Sequence, residues 1–468
     1  MTAPLIWIIF PLLAGFLLLL LPNQRLVVYI GAGIALLLTV LALWLPPDSV
    51  RQIGPVVLRM DSTLTLVGRQ ISLTSAQQIM LVLVYGIGAF WFFGTLAAGN
   101  ARRIIPFGLV VTALLVASLA VQPFLYAALL IELAVMLSIP LLIQPETPPG
   151  RGLIRFLMYQ TLAMPFILFA GFLLSGVDVG PADIGHIIPA AVLLGLGFAF
   201  LLAVFPLYTW VPLLVEEVSP YAAGFILILF PTFSLIFGLN FIDNYSWLHD
   251  PASLQFSNIL QVVGLLMMTT SGVWAAFQRH LGRILAYSIV AETGVSLVAI
   301  SLPDKQLGLQ IFFYLIAPRA LALGIWAIAI SMFKEKAPDL QFASLQGIVR
   351  TYPVATAGLV LANLSLIGAP LLASFPIRQL LWEKLAATSF PPAIWFGIAS
   401  LGLWLGALRT LMALVQLQPD IPWKSSETWA QRILIGLGLL GLFVLGLFPQ
   451  WVQPLLTNLP AMFEHIGK

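Results

Sequence analysis

The sequence predicts an all-α polytopic membrane protein of about 14 transmembrane helices, with two inverted five-helix repeats that each contain one broken helix. Three observations support this fold class. The 468 residues are 60% hydrophobic and 8% charged, whereas a soluble domain is about 25% charged. Apolar runs of about 18 to 25 residues recur along the whole chain, and this length crosses a bilayer. Two of the apolar runs are interrupted by proline-containing breaks, as in transporters built from repeats.

The apolar runs divide the chain into four predicted parts. These are an N-terminal three-helix segment (1–98), a first five-helix repeat (104–241), a second five-helix repeat (257–416), and a C-terminal helix with an interfacial tail (417–468). The predicted spans are 4–21, 26–45, 76–98, 104–121, 123–143, 153–175, 187–217 (broken), 221–241, 257–277, 284–301, 309–333, 353–388 (broken), 391–416 and 432–449.

Two segments outside the spans carry expectations of their own. Short alternating pieces at Val57 to Leu73 predict a small surface hairpin within the longest polar loop. After Pro449 we expect an interfacial tail, with Trp451 and Phe463 at the level of the lipid headgroups.

Basic residues provide an independent test of the span count. If the N-terminus lies outside, 13 of the 21 Lys and Arg residues fall in inside loops or near the inside ends of spans, six fall in outside loops or near outside ends, and Arg319 and Arg378 fall in the interior of spans. This distribution obeys the positive-inside rule. Because the number of spans is even, both termini are then expected on the non-cytoplasmic side of the membrane.

Several site classes have no support in the sequence. The absence of cysteine excludes disulfides, thiolate metal sites and cysteine-ligated iron–sulfur clusters. No pair among the four histidines has metal-ligand spacing, and no glycine-rich phosphate loop occurs. We therefore expect no cofactor, no metal and no redox site in this chain. The N-terminal apolar run lacks a charged leader and a cleavage site, so we interpret it as the first span.

Four ionisable residues within the predicted spans are the candidate ion-translocation residues. A charge at mid-bilayer costs about 2.5–3.5 kcal/mol on insertion scales, so its presence requires a reason. Glu132 and Glu292 are candidates for proton-carrying carboxylates, and the structural alternative is hydrogen bonding between helices or contact with a partner subunit. Arg319 and Arg378 keep their charge at any physiological pH, so we expect fixed counter-charges rather than proton carriers.

The sequence around these residues adds detail. Ser288 and Ser296 lie one turn on either side of Glu292, so the three side chains share one helix face. Pro318 frees a backbone carbonyl that the Arg319 guanidinium could satisfy, and we hypothesise that Arg319 pairs with Glu292 or Glu132.

Five residues mark the two helix breaks: Pro206, Pro212, Gly368, Pro370 and Pro376. The segment from Pro206 to Pro212, PLYTWVP, resembles the P-x-H-x-W-L-P signature of the antiporter-like membrane subunits of respiratory complex I. The segment QRHLGRILAYSIVAETG (278–294) resembles Q-x-D-I-K-R-x-L-A-Y-S-S-I-S-H-x-G of the same subunits. The segment 364–382 resembles L-S-L-x-G-x-P-x-x-x-G-F-x-x-K.

The chain is thus similar to a family that includes the proton-conducting membrane subunits of NADH-quinone and NADH-plastoquinone oxidoreductases, Mrp-type cation/proton antiporters and membrane-bound hydrogenases. The resemblance covers about residues 60 to 400. It implies an energy-transducing membrane, either bacterial inner or thylakoid-type, and partnership with other membrane subunits of a multi-subunit complex, with lipid, and with protons or monovalent cations. Redox chemistry is then expected in other subunits.

The chain departs from the family at positions that carry ionisable groups. Of the buried groups implied by the resemblance, the fifth-span Glu has a direct counterpart in Glu132. The lysines of spans seven and eight fall on Leu201 and near Pro231, and the His of P-x-H-x-W falls on Tyr208. The K-R pair corresponds to Gly282-Arg283 and the S-H pair to Ala291-Glu292. The twelfth-span Lys corresponds to Arg378.

Three functions follow as hypotheses. The first is a divergent proton- or cation-translocating subunit of a complex I-type or Mrp-type assembly. The second is a degenerate, non-pumping paralogue that scaffolds such a complex, which the loss of the two lysines favours. The third is a stand-alone secondary transporter.

Overall fold

The computed structural model describes all residues except 1, 54–55, 67, 100, 144–147, 175–183, 246–247, 249–253, 417–421 and 468. Within this described part, eleven helices are long and apolar enough to cross a membrane, and three shorter apolar helices occur at Leu5–Leu18, Ile187–Leu201 and Pro353–Ile367. Each predicted span overlaps one of these helices, so a mostly helical, polytopic membrane protein is confirmed. The count of fourteen crossings stays a prediction, because length and composition do not establish that the three shorter helices cross.

The α-helices are numbered in chain order. They are α1 (Phe10–Leu18, preceded by a π-helical segment Leu5–Ile9), α2 (Gln24–Trp44), α3 (Gln78–Ala98), α4 (Ala101–Ala120), α5 (Ala127–Leu142), α6 (Arg151–Leu174), α7 (Ile184–Leu201), α8 (Trp210–Glu217), α9 (Pro220–Asn244), α10 (Leu254–Phe277), α11 (Leu281–Ile300), α12 (Lys305–Lys334), α13 (Pro353–Ile367), α14 (Phe375–Thr388), α15 (Phe390–Val415), α16 (Trp429–Leu447) and α17 (Pro449–Leu456).

The polar loop after α2 forms two hairpins rather than one. Strands β1 (Val50–Ile53) and β2 (Val56–Arg59) pair in an antiparallel arrangement. Strands β3 (Thr63–Leu66) and β4 (Arg69–Ser72) form the second hairpin, and β4 also pairs with β5 (Val121–Gln122) at the end of α4. The prediction of a single hairpin over 57–73 is therefore wrong in its extent, since it covers one strand of the first hairpin and both strands of the second.

Both predicted helix breaks are present. In the first, α7 ends at Leu201, a short 3₁₀ turn follows at Leu207–Thr209, and α8 begins at Trp210. Proline has no N–H, so Pro206 cannot donate to the carbonyl of Leu202 and the helix does not continue through it. In the second, α13 ends at Ile367 and is capped by Gly368, whose φ of 89° is left-handed.

The end of α13 is a Schellman-type turn. The N–H of Ala369 donates to the carbonyl of Leu364 over 2.9 Å, which closes the six-residue ring of this motif. Helix α14 then begins seven residues after Gly368, at Phe375. The chain between the two helices allows α14 to present its first turn to the interior.

Helices α11 and α12 are the most enclosed described helices of the second half. The packing around α11 shows how this enclosure arises. Glycines permit the close packing that buries it: a Cβ added to Gly294 would lie 2.7 Å from the carbonyl oxygen of Gly264 on α10. Between α10 and α15, a Cβ added to Gly272 would lie 2.4 Å from the carbonyl oxygen of Ala399. Small residues of this kind let membrane helices approach closely. As a result the middle of α11 has no access to the lipid-facing surface.

The C-terminal segment corrects one expectation. Trp451 on α17 is 62% exposed and stacks on Phe448 with ring centroids 4.6 Å apart. Phe463, in contrast, is 1% exposed and stacks against Phe313 of α12. Phe463 therefore packs against α12 and does not face lipid headgroups, because the tail folds back onto that helix, while the depth of the tail in the membrane stays a prediction. The predicted span end at 175 and the start of the C-terminal part at 417 lie outside the described residues.

Candidate functional site

Glu292 lies in the middle of α11 and is 1% exposed. The helix begins after His280, whose Nδ1 accepts the backbone N–H of Arg283 at 3.3 Å and so caps the first turn. Glu292 lies twelve residues after His280, and its side chain points between α12 and α14. Both of its carboxylate oxygens are paired, each with a different arginine.

Arg319 of α12 is the first of these partners. Its Nε donates to Glu292 Oε2 over 3.2 Å, and its Nη2 donates to the Glu292 carbonyl oxygen (2.8 Å) and to Ser296 Oγ (2.5 Å). The predicted pairing with Glu292 is confirmed, and the alternative partner Glu132 is not found. The guanidinium donates to a carbonyl of α11, so the prediction that it satisfies the carbonyl freed by Pro318 in its own helix is wrong.

Arg378 of α14 is the second partner, and its Nη2 donates to Glu292 Oε1. Its position depends on the helix break. The backbone N–H of Arg378 donates to Ser374 at the start of α14, and its side chain runs over Gly368 at the end of α13. A Cβ at position 368 would lie 2.6 Å from Arg378 Cδ. The break thus places an arginine of α14 opposite a glutamate of α11. We call Glu292, Ser296, Arg319 and Arg378 the buried charge cluster.

The five predicted break residues do not all lie within the breaks. Pro206, Gly368 and Pro370 lie between the helix pieces, as expected. Pro212 and Pro376 instead lie in the first turns of α8 and α14. Proline is tolerated there because the first N–H groups of a helix have no partner within the helix.

Glu132 is not part of the buried charge cluster. It lies on α5, is half-buried, and forms a hydrogen bond with the Thr161 side chain of α6. Its Oε2 is buried and has no hydrogen-bond partner among the described residues. Of the four ionisable candidates, the structure therefore brings together Glu292, Arg319 and Arg378 and leaves Glu132 apart.

The first helix break contains no charged group comparable to this cluster. Leu201 and Tyr208 are buried there, 1% and 4% exposed. Gln160 of α6 donates its Nε2 to the carbonyl of Leu201 over 3.2 Å and so satisfies a carbonyl that the break leaves free. An adjoining cavity of about 10 Å³, whose lining includes Gln160, Leu201, Pro231 and Thr293, has room for about one water molecule.

Carboxylates near the helix ends have structural contacts. Glu216 Oε2 pairs with Arg283 Nη2 at 2.8 Å, and both side chains are partly exposed. Glu217 Oε2 accepts the N–H groups of Gly152 (2.7 Å) and Leu153 (3.3 Å) at the start of α6, where a negative charge is favourable.

Sequence reasoning missed one anchoring carboxylate. Asp243, near the end of α9, accepts the backbone N–H groups of Glu464 (2.9 Å), His465 (2.7 Å) and Ile466 (2.9 Å). The only local signal was an acidic residue just beyond a predicted span end, because its partners lie more than 220 residues away. This contact holds the C-terminal tail against the helix bundle.

The chemistry available at the buried charge cluster is electrostatic. It offers one carboxylate that can exchange a proton and two guanidinium groups that cannot. In the part of the chain that the structure describes, no group of three or more His, Cys, Asp or Glu residues is arranged to hold a metal ion.

Comparison with protein families supports the resemblance. The family model described as NADH:quinone oxidoreductase/Mrp antiporter, TM matches residues 154–403, which is more than half of the chain. This range contains both helix breaks and the buried charge cluster.

Individual proteins show the same relationship. NADH-quinone oxidoreductase subunit 14 of Thermus thermophilus is 26% identical over 446 residues, which cover 90% of this chain and 96% of that protein. Three bacterial relatives named NADH-quinone oxidoreductase subunit N align over 39% to 61% of their own length.

Solved structures share the fold. A chain of respiratory complex I from Thermus thermophilus superimposes with a TM-score of 0.79 at 19% identity, covering 98% of this chain and 99% of that chain. A chain of the Mrp complex from a Dietzia species superimposes with a TM-score of 0.81 at 17% identity, covering 98% and 97%.

Proposed function

The chain belongs to the NADH:quinone oxidoreductase/Mrp antiporter transmembrane family, and from this premise we propose that it is an antiporter-like membrane subunit that translocates protons within a complex I-type or Mrp-type assembly. The observation that carries the proposal is the buried charge cluster at the second helix break. Burying three charges in a membrane protein is costly, and such residues mark ion pathways more often than structural contacts.

The charges of the cluster favour protons over metal cations. Two guanidinium groups against one carboxylate repel an entering Na⁺ or K⁺. A proton on Glu292, by contrast, is exchanged without any cation entering the site. The proposed step is a movement of α14 at its break that carries Arg378 away from Glu292. The carboxylate then loses one of its two counter-charges and takes up a proton, which it releases when Arg378 returns.

Proton flux in proteoliposomes tests this proposal. The full-length chain is reconstituted, a membrane potential is imposed, and internal pH is followed with a trapped dye. We expect Glu292→Gln to reduce the protein-dependent flux at least tenfold. Glu216→Gln is the matched control, since it removes the carboxylate charge from an ion pair with Arg283 at a partly exposed position. If Glu132→Gln and Glu292→Gln both conduct like the wild type, the translocation proposal fails.

A second candidate function is a non-pumping scaffold of such an assembly. The specific observation in its favour is the first helix break, where Leu201 and Tyr208 are buried and the cavity beside Leu201 measures only about 10 Å³. Wild-type flux at the level of protein-free liposomes, combined with loss of neighbouring subunits from the membrane when the chain is deleted, would favour this function.

The proposed topology has two inverted repeats, α4–α9 and α10–α15, between the N-terminal three-helix segment and the C-terminal helix. It is supported by the element order, because in each group the fourth of five spans is broken. An odd number of spans per repeat gives the second repeat the opposite orientation. The even total of spans and the positive-inside rule put both termini on the non-cytoplasmic side in this topology. Cysteine-accessibility labelling at Thr2 and Lys468 tests this placement in the naturally cysteine-free chain.

A further inference from the structure

The buried charge cluster carries one more positive charge than negative charge. Glu292, Arg319 and Arg378 are 1%, 3% and 4% exposed. Across the residues that the structure describes, no second carboxylate lies within 4.0 Å of either guanidinium. Neither arginine can lose its charge, since the guanidinium stays protonated under all physiological conditions. The cluster therefore has a formal charge of +1 in the interior of the helix bundle.

The excess charge is centred on Arg378. Its Nη2 donates to Glu292, but Nε and Nη1 are buried and have no acceptor among the described residues. Arg319, by contrast, has three donor contacts to Glu292 and Ser296. Unpaired donors on a buried charged group are more costly than those on a neutral group. The two unpaired atoms thus require an acceptor, and the surplus charge requires that this acceptor be negative.

The last two turns of α13 contain further buried polar atoms. Asn363 Nδ2 and Ser365 Oγ have no partner in the described structure. Helix α13 ends at Ile367, and Gly368, which caps it, contacts the Arg378 side chain. The carbonyl end of α13 is the negative end of its dipole, whereas the first turn of α14, which contains Arg378, is the positive end of its own dipole. The start of α14 therefore favours an anion beside Arg378.

We propose that the buried charge cluster binds a small monovalent anion of chloride size, held by one of the two unpaired Arg378 nitrogens, Nε or Nη1. One negative charge neutralises the cluster and accepts an unpaired N–H group. A carboxylate of a partner subunit or a lipid phosphate cannot take this role, because Arg378 is enclosed by this chain itself. The site rests on the cluster geometry and not on proton translocation, so either proposal can fail alone.

Anion-dependent stability of the full-length chain tests the site. The apparent melting temperature is measured in detergent at constant ionic strength while sodium chloride replaces sodium gluconate. We expect a saturable upward shift with half-saturation in the millimolar range for the wild type. Arg378→Gln should abolish this shift. Arg283→Gln should retain it, since that arginine is partly exposed and pairs with Glu216.

A second readout is independent of the Arg378 variant. Chloride-35 NMR lines broaden when chloride exchanges with a protein site, and bromide should relieve that broadening competitively. Glu292→Gln raises the cluster charge to +2 and should lower the chloride concentration at half-saturation several-fold. A wild type without saturable stabilisation and without broadening overturns the proposal, as does an Arg378→Gln variant that keeps both.

Discussion

Charge balance in the buried cluster predicts that the glutamate matters more for stability than either arginine. Glu292→Gln leaves two buried guanidinium groups without any counter-charge and raises the formal charge of the cluster from +1 to +2. Arg378→Gln lowers that charge from +1 to 0 and keeps the pair between Glu292 and Arg319. Counting contacts alone would instead predict a similar loss of stability for Arg378→Gln and Glu292→Gln, since each substitution removes a hydrogen-bonded charge.

The magnitude follows from the geometry. Charges 3.2 Å apart, the distance from Arg319 Nε to Glu292 Oε2, attract by about 5 kcal/mol at an effective dielectric constant near 20. Removing one member of a buried pair destabilises a protein by about 3–5 kcal/mol, and we expect this cost for Glu292→Gln. For Arg378→Gln, a lost charge-assisted hydrogen bond costs about 1.5–3 kcal/mol. Relief of a buried charge opposes that cost, so the net change should stay within about 2 kcal/mol.

The assay is thermal unfolding of the full-length chain, followed by the fluorescence of its 13 tryptophans. Unfolding of a large membrane protein is often irreversible, so variants are compared at one scan rate and one chloride concentration. Glu216→Gln serves as the control, because a partly exposed ion pair contributes about 1 kcal/mol or less. The reasoning is refuted if Arg378→Gln lowers the apparent melting temperature as much as Glu292→Gln, or if the control does.

Three further predictions concern other contacts. Gly368→Ala should destabilise the chain by about 1–3 kcal/mol, because position 368 has a φ of 89° and an added Cβ would meet the side chain of Arg378. The control Gly397→Ala adds a Cβ in open space on α15, so in the same melting assay it should be neutral or stabilising by up to about 1 kcal/mol. Asp243→Ala should release the C-terminal tail and speed its digestion by carboxypeptidase. Glu464→Gln should not, since only the backbone of Glu464 contacts Asp243. Equal digestion rates for the two variants would contradict the anchoring role of Asp243. Burial lowers the pKa of His280 below its ordinary value, so the stability that this residue contributes is present above about pH 6.5 and is lost as the pH falls through the folded-state pKa. Between pH 7 and pH 5 the apparent melting temperature of the wild type should therefore fall by more than that of His280→Asn. Parallel curves for the two proteins would exclude this effect.

Local features of the sequence were sufficient for the fold class and the helix breaks. Hydrophobicity summed over a span is a property of consecutive residues, and the left-handed turn at Gly368 or the missing N–H of Pro206 acts within one helical turn. The same locality explains an error. Pro212 and Pro376 were expected to mark breaks, yet a proline in the first helical turn is compatible with the helix, and sequence alone does not show where that turn begins.

Pairing across the bundle depended on the tertiary structure. The sequence identified Glu132, Glu292, Arg319 and Arg378 by their charge within apolar spans, but it left two possible partners for Arg319. The contacts in the cluster join residues 27 and 86 positions apart, and helix packing decides which of them meet. The unbalanced charge of the cluster was equally invisible in the sequence, which contains 21 basic and 18 acidic residues and does not show which of them are buried together.

The C-terminal tail shows the same limit. Its composition resembles that of an interfacial segment, and Trp451 is indeed exposed. Phe463 is nevertheless buried, because Asp243 binds three backbone N–H groups more than 220 residues further along the chain. The sequence by itself determined which segments form apolar helices and that two of them are interrupted, since both depend on neighbouring residues. Only the tertiary structure decided which charges neutralise one another, because a buried charge is compensated by whatever lies within a few ångströms, regardless of its distance along the chain.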